Sequence, residues 1–145
     1  KTVDNDLPFT DCCPGFGSVA KYVINSTIEA ALDVESMAAS STKVFILEVM
    51  GRHAGWIAAS SAVAIESYPH APDLILLPEI TFKERDFLRK VKDTVASKGF
   101  CVVVASEGIK NNKGRFIAES GLKDAFGHSQ LGGVAPNLAN IISKK

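Results

Sequence analysis

Three short apolar runs closed by turn residues, with helical periodicity between them, constrain this chain more than any other feature. The first, Lys43-Val44-Phe45-Ile46-Leu47-Glu48-Val49-Met50, contains three β-branched residues and stops at Gly51. The second, Asp73-Leu74-Ile75-Leu76-Leu77, is closed by Pro78, and the third runs from Phe100 to Ala105. Runs of this length and makeup read as strands, and the first suits a strand buried on both faces.

Between the runs the period changes. Ala20, Val23, Ile24, Ile28, Ala31 and Leu32 recur at three- and four-residue steps, which predicts an amphipathic helix from Ser18 to about Ala39, with Ser18 as an ordinary N-cap. A second helix, Ala54 to Glu66, is small-residue-rich and is stopped by Pro69 and Pro72. Thr81-Phe82-Lys83-Glu84 has the form of a capping box opening a helix that carries Phe87, Leu88, Val91 and Val95 and ends at Gly99. Gly108 to Gly114 reads as an exposed polar loop, and Phe116 to Phe126 and Pro136 to Ile142 read as two further helices. Trp56 is most simply a core anchor and Cys101 a small apolar residue in its strand.

Strand and helix therefore alternate. The expected fold class is α/β, in three layers, with a mainly parallel sheet covered by helices on both faces, and the 145 residues form one domain. In open parallel sheets ligands sit beyond the carboxyl ends of the strands. Here those ends carry Met50-Gly51-Arg52-His53, Pro78-Glu79 and Ser106-Glu107-Gly108.

Charge excludes some partners. Sixteen Lys and Arg balance sixteen Asp and Glu, with no long basic run, which argues against a nucleic-acid or anionic-membrane surface. No apolar stretch approaches the roughly 20 residues that span a bilayer. Cys12, Cys13 and Cys101 are odd in number and two are adjacent, which fits a reduced, cytoplasmic setting. Neither they nor His53, His70 and His128 have zinc spacing. The opening Lys1-Thr2-Val3-Asp4, with neither initiator Met nor leader, is expected of a piece of something larger.

Several residues could carry chemistry. Asp4 and Asp6, two apart beside Thr2 and Lys1, either form a turn bonded to its own backbone or supply one carboxylate as a base and another for orientation or a metal. Gly51, followed by a Gly55-started helix, either makes a tight turn or lets backbone N–H groups approach an anion, with Arg52 adding a forked donor unless it pairs with Glu48. Glu107 ends the third strand and could accept hydrogen bonds from a sugar hydroxyl, Glu79 ends the second strand behind a Pro, and either could simply cap the next element. Lys110, Lys113 and Arg115 make a small basic loop, most simply solvated.

Taken together, Lys1-Thr2-Val3-Asp4-Asn5-Asp6-Leu7, Thr10-Asp11, Gly15-Phe16, Val49-Met50-Gly51-Arg52-His53-Ala54-Gly55 and Leu77-Pro78-Glu79 resemble the 6-phosphofructokinase family in order and spacing. Glu107 and His128-Ser129-Gln130-Leu131-Gly132-Gly133 extend the match over nearly the whole chain. The resemblance implies the fructose 6-phosphate-binding part of a longer two-domain enzyme, in which a phosphoryl group passes to the sugar's 1-hydroxyl in glycolysis. Asp4 matches the proton acceptor, and Thr2 and Arg52 match positions at the transferring group. Met50 and Gly51 match the sugar-contacting turn, Glu107 matches the carboxylate that holds sugar hydroxyls, and Val3 falls among the substrate-binding residues that the resemblance implies. Asp6 matches an acidic position near Mg2+. Lys43 matches a basic residue that reaches a neighbouring subunit's site, which implies a homo-oligomer, a dimer or tetramer.

Lys1 stands where pyrophosphate-dependent members typically carry Lys and ATP-dependent members Gly, so the resemblance favours pyrophosphate as donor, with ATP the alternative. A non-catalytic sugar-phosphate-binding regulatory subunit is a second alternative, opposed by the retained Asp4 and Arg52. Leu131 and Asn140 stand where bacterial ATP-dependent members carry Arg, so no phosphate clamp is implied there. By itself the fragment is expected to be inactive.

Overall fold

A computed structural model describes residues 2–123, 129–131 and 133–144. Its elements in chain order are α1 (Phe16–Met37), β1 (Val44–Val49), α2 (Trp56–Ser60), β2 (Leu74–Leu76), α3 (Glu84–Lys98), β3 (Cys101–Ser106), β4 (Glu119–Lys123), β5 (Ser129–Leu131) and α4 (Val134–Ser143). Residues Ser61–Glu66 extend α2 as a 3-10 helix. β1, β3 and β2 form a parallel sheet in that spatial order, with Val44 opposite Cys101 and Leu74 opposite Val103. The chain steps past the central position and returns to it. With right-handed crossovers such a reversal puts the two connections on opposite faces, and they lie there: α1 and α2 cover one face, α3 and α4 the other.

β3 explains why the sheet needs both layers. All six of its residues are buried, and their side chains alternate. Cys101, Val103 and Ala105 pack with Phe87, Val91, Val134 and Leu138, while Val102 and Val104 pack toward Val34, Val23 and Ile57. Burial pushes the Cys101 thiol up to about 12, so it stays protonated and inert. At the amino end of the sheet the Asp73 carboxylate accepts the Val102 N–H at 2.8 Å and pairs with Lys98 at 2.5 Å. No helix among the described residues is long and apolar enough to cross a membrane.

Several expectations are corrected. Neither β1 nor β2 has a neighbour on its outer side among the described residues, and most of β1 is only half-buried. α1 starts at Phe16 because Gly15, at φ 91°, is its N-cap; Ser18 lies inside the helix. α3 starts at Glu84 with Lys83 as N-cap and no side-chain cap, so no capping box forms. The second helix tightens to a 3-10 helix where the Ser60 and Ser61 hydroxyls bond back to the carbonyls of Ile57 and Ala58. Trp56 is 56% exposed rather than buried.

The largest departure lies after β3. Gly108 and Ile109 are buried, and Ile109 and Lys110 pair back against Ile117 and Phe116 as a hairpin, not an exposed loop. In place of the predicted helix from Phe116, a bridge at Phe116 and a turn at Ile117 and Ala118 lead into β4, antiparallel to β5. Cross-strand partners selected extended backbone over a local helical pattern. Phe126 and the rest of 124–128 lie outside the described residues.

Candidate active site

The three carboxyl-end loops of the sheet are locked to one another. Ser106, fully buried at the end of β3, donates its hydroxyl to the Gly51 carbonyl and accepts the Gly108 N–H at 3.2 Å. The Glu107 N–H donates to the Val49 carbonyl at 2.9 Å. Gly51 sits at φ 130°, where a Cβ would also lie 2.5 Å from the Ala54 carbonyl oxygen, so only glycine fits. The Glu79 carboxylate accepts the Gly55 N–H at 2.7 Å and ties the third loop to the first. Arg52 and Glu107 are thereby held on one rigid rim.

Glu79 resolves one alternative. It caps the start of α2, so the chain's own carboxylate takes the N–H group that Gly55 could have offered to an anion. Glu48 is engaged too, accepting the Ala135 N–H at 3.0 Å at the start of α4. Arg52, half-buried, therefore does not pair with Glu48 and has no ion-pair partner among the described residues. Of the two strand-end carboxylates, Glu107 keeps its side chain free of hydrogen bonds among the described residues.

Beside this rim lies the turn bearing Asp4. Asn5, not either aspartate, holds the turn: at φ 60° its side chain accepts the Cys13 N–H at 2.7 Å and donates to the Asp11 carbonyl at 3.3 Å. Asn tolerates that left-handed conformation better than most residues. Thr2 Oγ1 accepts the Asp4 N–H at 3.1 Å, which leaves its own hydroxyl hydrogen for a ligand. Val3 packs its side chain against the cluster of Val23, Val49 and Ile57, so only its backbone can face a ligand.

The Asp4 carboxylate itself is unsatisfied. Its Oδ1 is buried with no hydrogen-bond partner among the described residues. Burial, reinforced by the Asp6 charge, holds its carboxyl above the ordinary aspartate range, while Arg52 and His53 pull it back down. A half-buried carboxylate with one unpartnered oxygen, within electrostatic reach of an arginine, is suited to accept a proton.

This shift has a stability consequence. The folded-state value lies above the unfolded one, so the folded chain binds the proton more tightly. Ionising Asp4 then destabilises the fold progressively as pH rises from the unfolded value through the folded one. Asp4→Asn is expected to raise Tm at neutral pH, with the gain vanishing as pH falls below the ordinary aspartate range. A variant less stable than wild type at neutral pH in calorimetry would mean that the carboxylate is satisfied by contacts.

The other expected site residues divide. Met50, Gly51, Arg52 and Glu107 lie at the carboxyl rim, with Asp4 within electrostatic reach of Arg52; Asp6 is exposed on the same turn as Asp4. Lys43 immediately precedes β1, at the opposite end of the sheet, about 20 Å away at the usual strand rise. Lys43 and Arg52 thus do not concentrate at one rim. Lys1, His128 and Gly132 lie outside the described residues. Sequence reasoning missed the Ser106 lock and the position of His53, whose charge reaches Asp4. Both depend on neighbours far apart in the chain.

Three comparisons bear on this arrangement. Residues 1–145 match the family model described as Phosphofructokinase. The chain is 59% identical over 145 residues to the pyrophosphate–fructose 6-phosphate 1-phosphotransferase of Methylococcus capsulatus, and 58% over 144 residues to that of Halomonas elongata. These alignments cover 100% and 99% of this chain and 34% of each relative. The crystal structure of the pyrophosphate-dependent phosphofructokinase from Marinobacter aquaeolei superposes with a TM-score of 0.82 at 54% identity, over 99% of this chain and 32% of that one. The chain therefore spans about a third of the length of these proteins. With the motif order, the parallel sheet and a site at its carboxyl rim all in agreement, the chain belongs to the phosphofructokinase family.

Proposed function

We propose that the full-length protein carrying this chain transfers a phosphoryl group from pyrophosphate to the 1-hydroxyl of fructose 6-phosphate, giving the 1,6-bisphosphate. The observation that carries this reading is the half-buried Asp4 carboxylate, whose Oδ1 has no hydrogen-bond partner among the described residues, within electrostatic reach of Arg52. Asp4 accepts the hydroxyl proton as the sugar oxygen bonds to the terminal phosphorus and the bond to the leaving phosphate breaks. Arg52 and the Thr2 hydroxyl face the transferring group, where positioning and charge stabilisation supply most of the catalysis. Met50, Gly51 and Glu107 hold the sugar.

Mg2+ fits this donor set. It commonly takes one or two carboxylates and completes its shell with phosphate oxygens and water. Asp4 Oδ1 has no partner, Asp6 lies exposed on the same turn, and no three His, Cys, Asp or Glu cluster among the described residues as a full protein cage would require. Asp6 is the residue to hold it, and a bound ion would neutralise phosphate charge. Lys43, exposed at the far end of the sheet, suits a role in a second subunit's site, and the protein is proposed to be a cytoplasmic homo-oligomer.

Donor choice rests on Lys1 and on identity above 50% to pyrophosphate-dependent relatives. A donor-dependence assay on the full-length protein with magnesium tests it: pyrophosphate should support turnover and ATP should not. A better rate with ATP would overturn the donor assignment, and no transfer from either would leave the regulatory-subunit reading. Lys1→Gly is expected to depress pyrophosphate use more than it weakens fructose 6-phosphate binding.

A further inference from the structure

Two lysines in this chain lie over phenylalanine rings, and they differ in one respect. Lys98 Nζ sits 4.2 Å from the Phe100 ring centroid and has the Asp73 carboxylate 2.5 Å away. Lys110 Nζ sits 4.8 Å from the Phe116 ring centroid, with His53 Nδ1 at 3.5 Å and no carboxylate partner among the described residues. The first arrangement carries its own anion; the second has none among the described residues.

Lys110 is also not a freely solvated side chain. It is half-buried, its carbonyl accepts the Phe82 N–H at 2.7 Å, and it bridges to Phe116 across the hairpin. The His53 ring lies 5.9 Å from that of Phe116, so one aromatic side chain braces both groups. The ammonium offers three donors, and at most one meets His53. Lys113 and Arg115, by contrast, are exposed on a turn closed by the Asn111 side chain.

The location is specific as well. Lys110 is two residues beyond Gly108, whose backbone packs directly on the carbonyl of Arg52. His53 follows Arg52, and both charges act on Asp4. Lys110 thus meets the rim through His53, next to Arg52, and Arg52 and His53 lie within electrostatic reach of Asp4.

We propose that Lys110, braced by Phe116 and His53, is an anion-binding residue of this site and takes a phosphate group of the sugar phosphate or of the phosphoryl donor. The inference rests on the function proposed above for its ligands, but not on turnover for its test. Titration calorimetry on the full-length protein, with pyrophosphate, fructose 6-phosphate and inorganic phosphate as separate probes, reads it directly.

Lys110→Met is expected to weaken at least one of the three by about tenfold or more, while Lys110→Arg stays within about threefold, because a second cation can still form a charge-assisted hydrogen bond. The probe that suffers identifies which phosphate Lys110 holds. If Lys110→Met does not fold, Lys110→Gln carries the same comparison. Affinities unchanged for all three probes, or a lowered Tm with intact affinities, overturn the proposal. A protein that binds phosphate through Lys110 but transfers none would remove the proposed function and leave this inference; an active enzyme indifferent to Lys110→Met would do the reverse.

Discussion

Replacing Asp4 with asparagine in the full-length enzyme is expected to lower turnover by about two to four orders of magnitude, the usual contribution of a positioned general base. Fructose 6-phosphate affinity should change far less, because Met50, Gly51, Arg52 and Glu107 remain on a rim held by bonds that do not involve Asp4. The turn should also persist, since Asn5 and Thr2 fix it through the Cys13 and Asp4 backbone N–H groups. Asparagine keeps the shape and loses the proton acceptor. Steady-state kinetics with both substrates checks the separation of kcat from KM. Near-normal turnover would exclude Asp4 as the base. A variant slow only because its KM had risen would reduce it to a sugar contact.

Gly108→Ala should damage both the fold and the site. A Cβ there would penetrate the Arg52 carbonyl and lie 2.7 Å from the Gly51 carbonyl oxygen, both backbone atoms that cannot swing aside. Forcing the loops apart is expected to cost about 1–3 kcal/mol or more, as overpacking of rigid interiors does. It would also separate Arg52 from Glu107 and break the Ser106 bridge between them. Ser106→Ala is the milder companion: it leaves the Gly51 carbonyl and Gly108 N–H without their hydroxyl partner and should cost about 1–3 kcal/mol, the range for an unsatisfied buried group. Thermal melts and fructose 6-phosphate affinity report the two effects. A Gly108→Ala protein with wild-type Tm and affinity would mean that the loops are not interlocked as described.

The two predictions separate two kinds of residue. Under the proposed function Asp4 acts on the substrate, and it can change without moving the rim. Gly108 and Ser106 touch no ligand in this reading; they act through the position of Arg52 and Glu107. Lys110 stands between these cases, because it is built into the hairpin against Phe116 and His53 and is the residue proposed to take a phosphate.

How much of this was legible beforehand depended on the range of the interaction involved. α1, α3 and α4 and the three parallel strands are local patterns, and their periods are visible within a window of a dozen residues. The turn residues Gly51, Pro78 and Gly99 marked their ends, and the motif around Asp4 singled out the carboxylate proposed as the base by resemblance. The segment after Phe116 misled because its partner strand, not its own pattern, selected its conformation. Trp56 misled because side-chain size signals burial only on average, and a residue on the first turn of a short helix can face outward.

The class of fold and the strand ends, together with a candidate carboxylate beside them, could be read from the residues alone. These follow from local periodicity and from chemistry that tolerates few substitutes. Only the tertiary structure decided which groups face that carboxylate and which are already engaged. It placed Lys43 at the far end of the sheet, assigned Glu79 and Glu48 to helix starts, and set His53 against Lys110. Each of these pairings joins residues that sequence separation hides, and only packing the strands in the order β1, β3, β2 brings them to one rim or parts them.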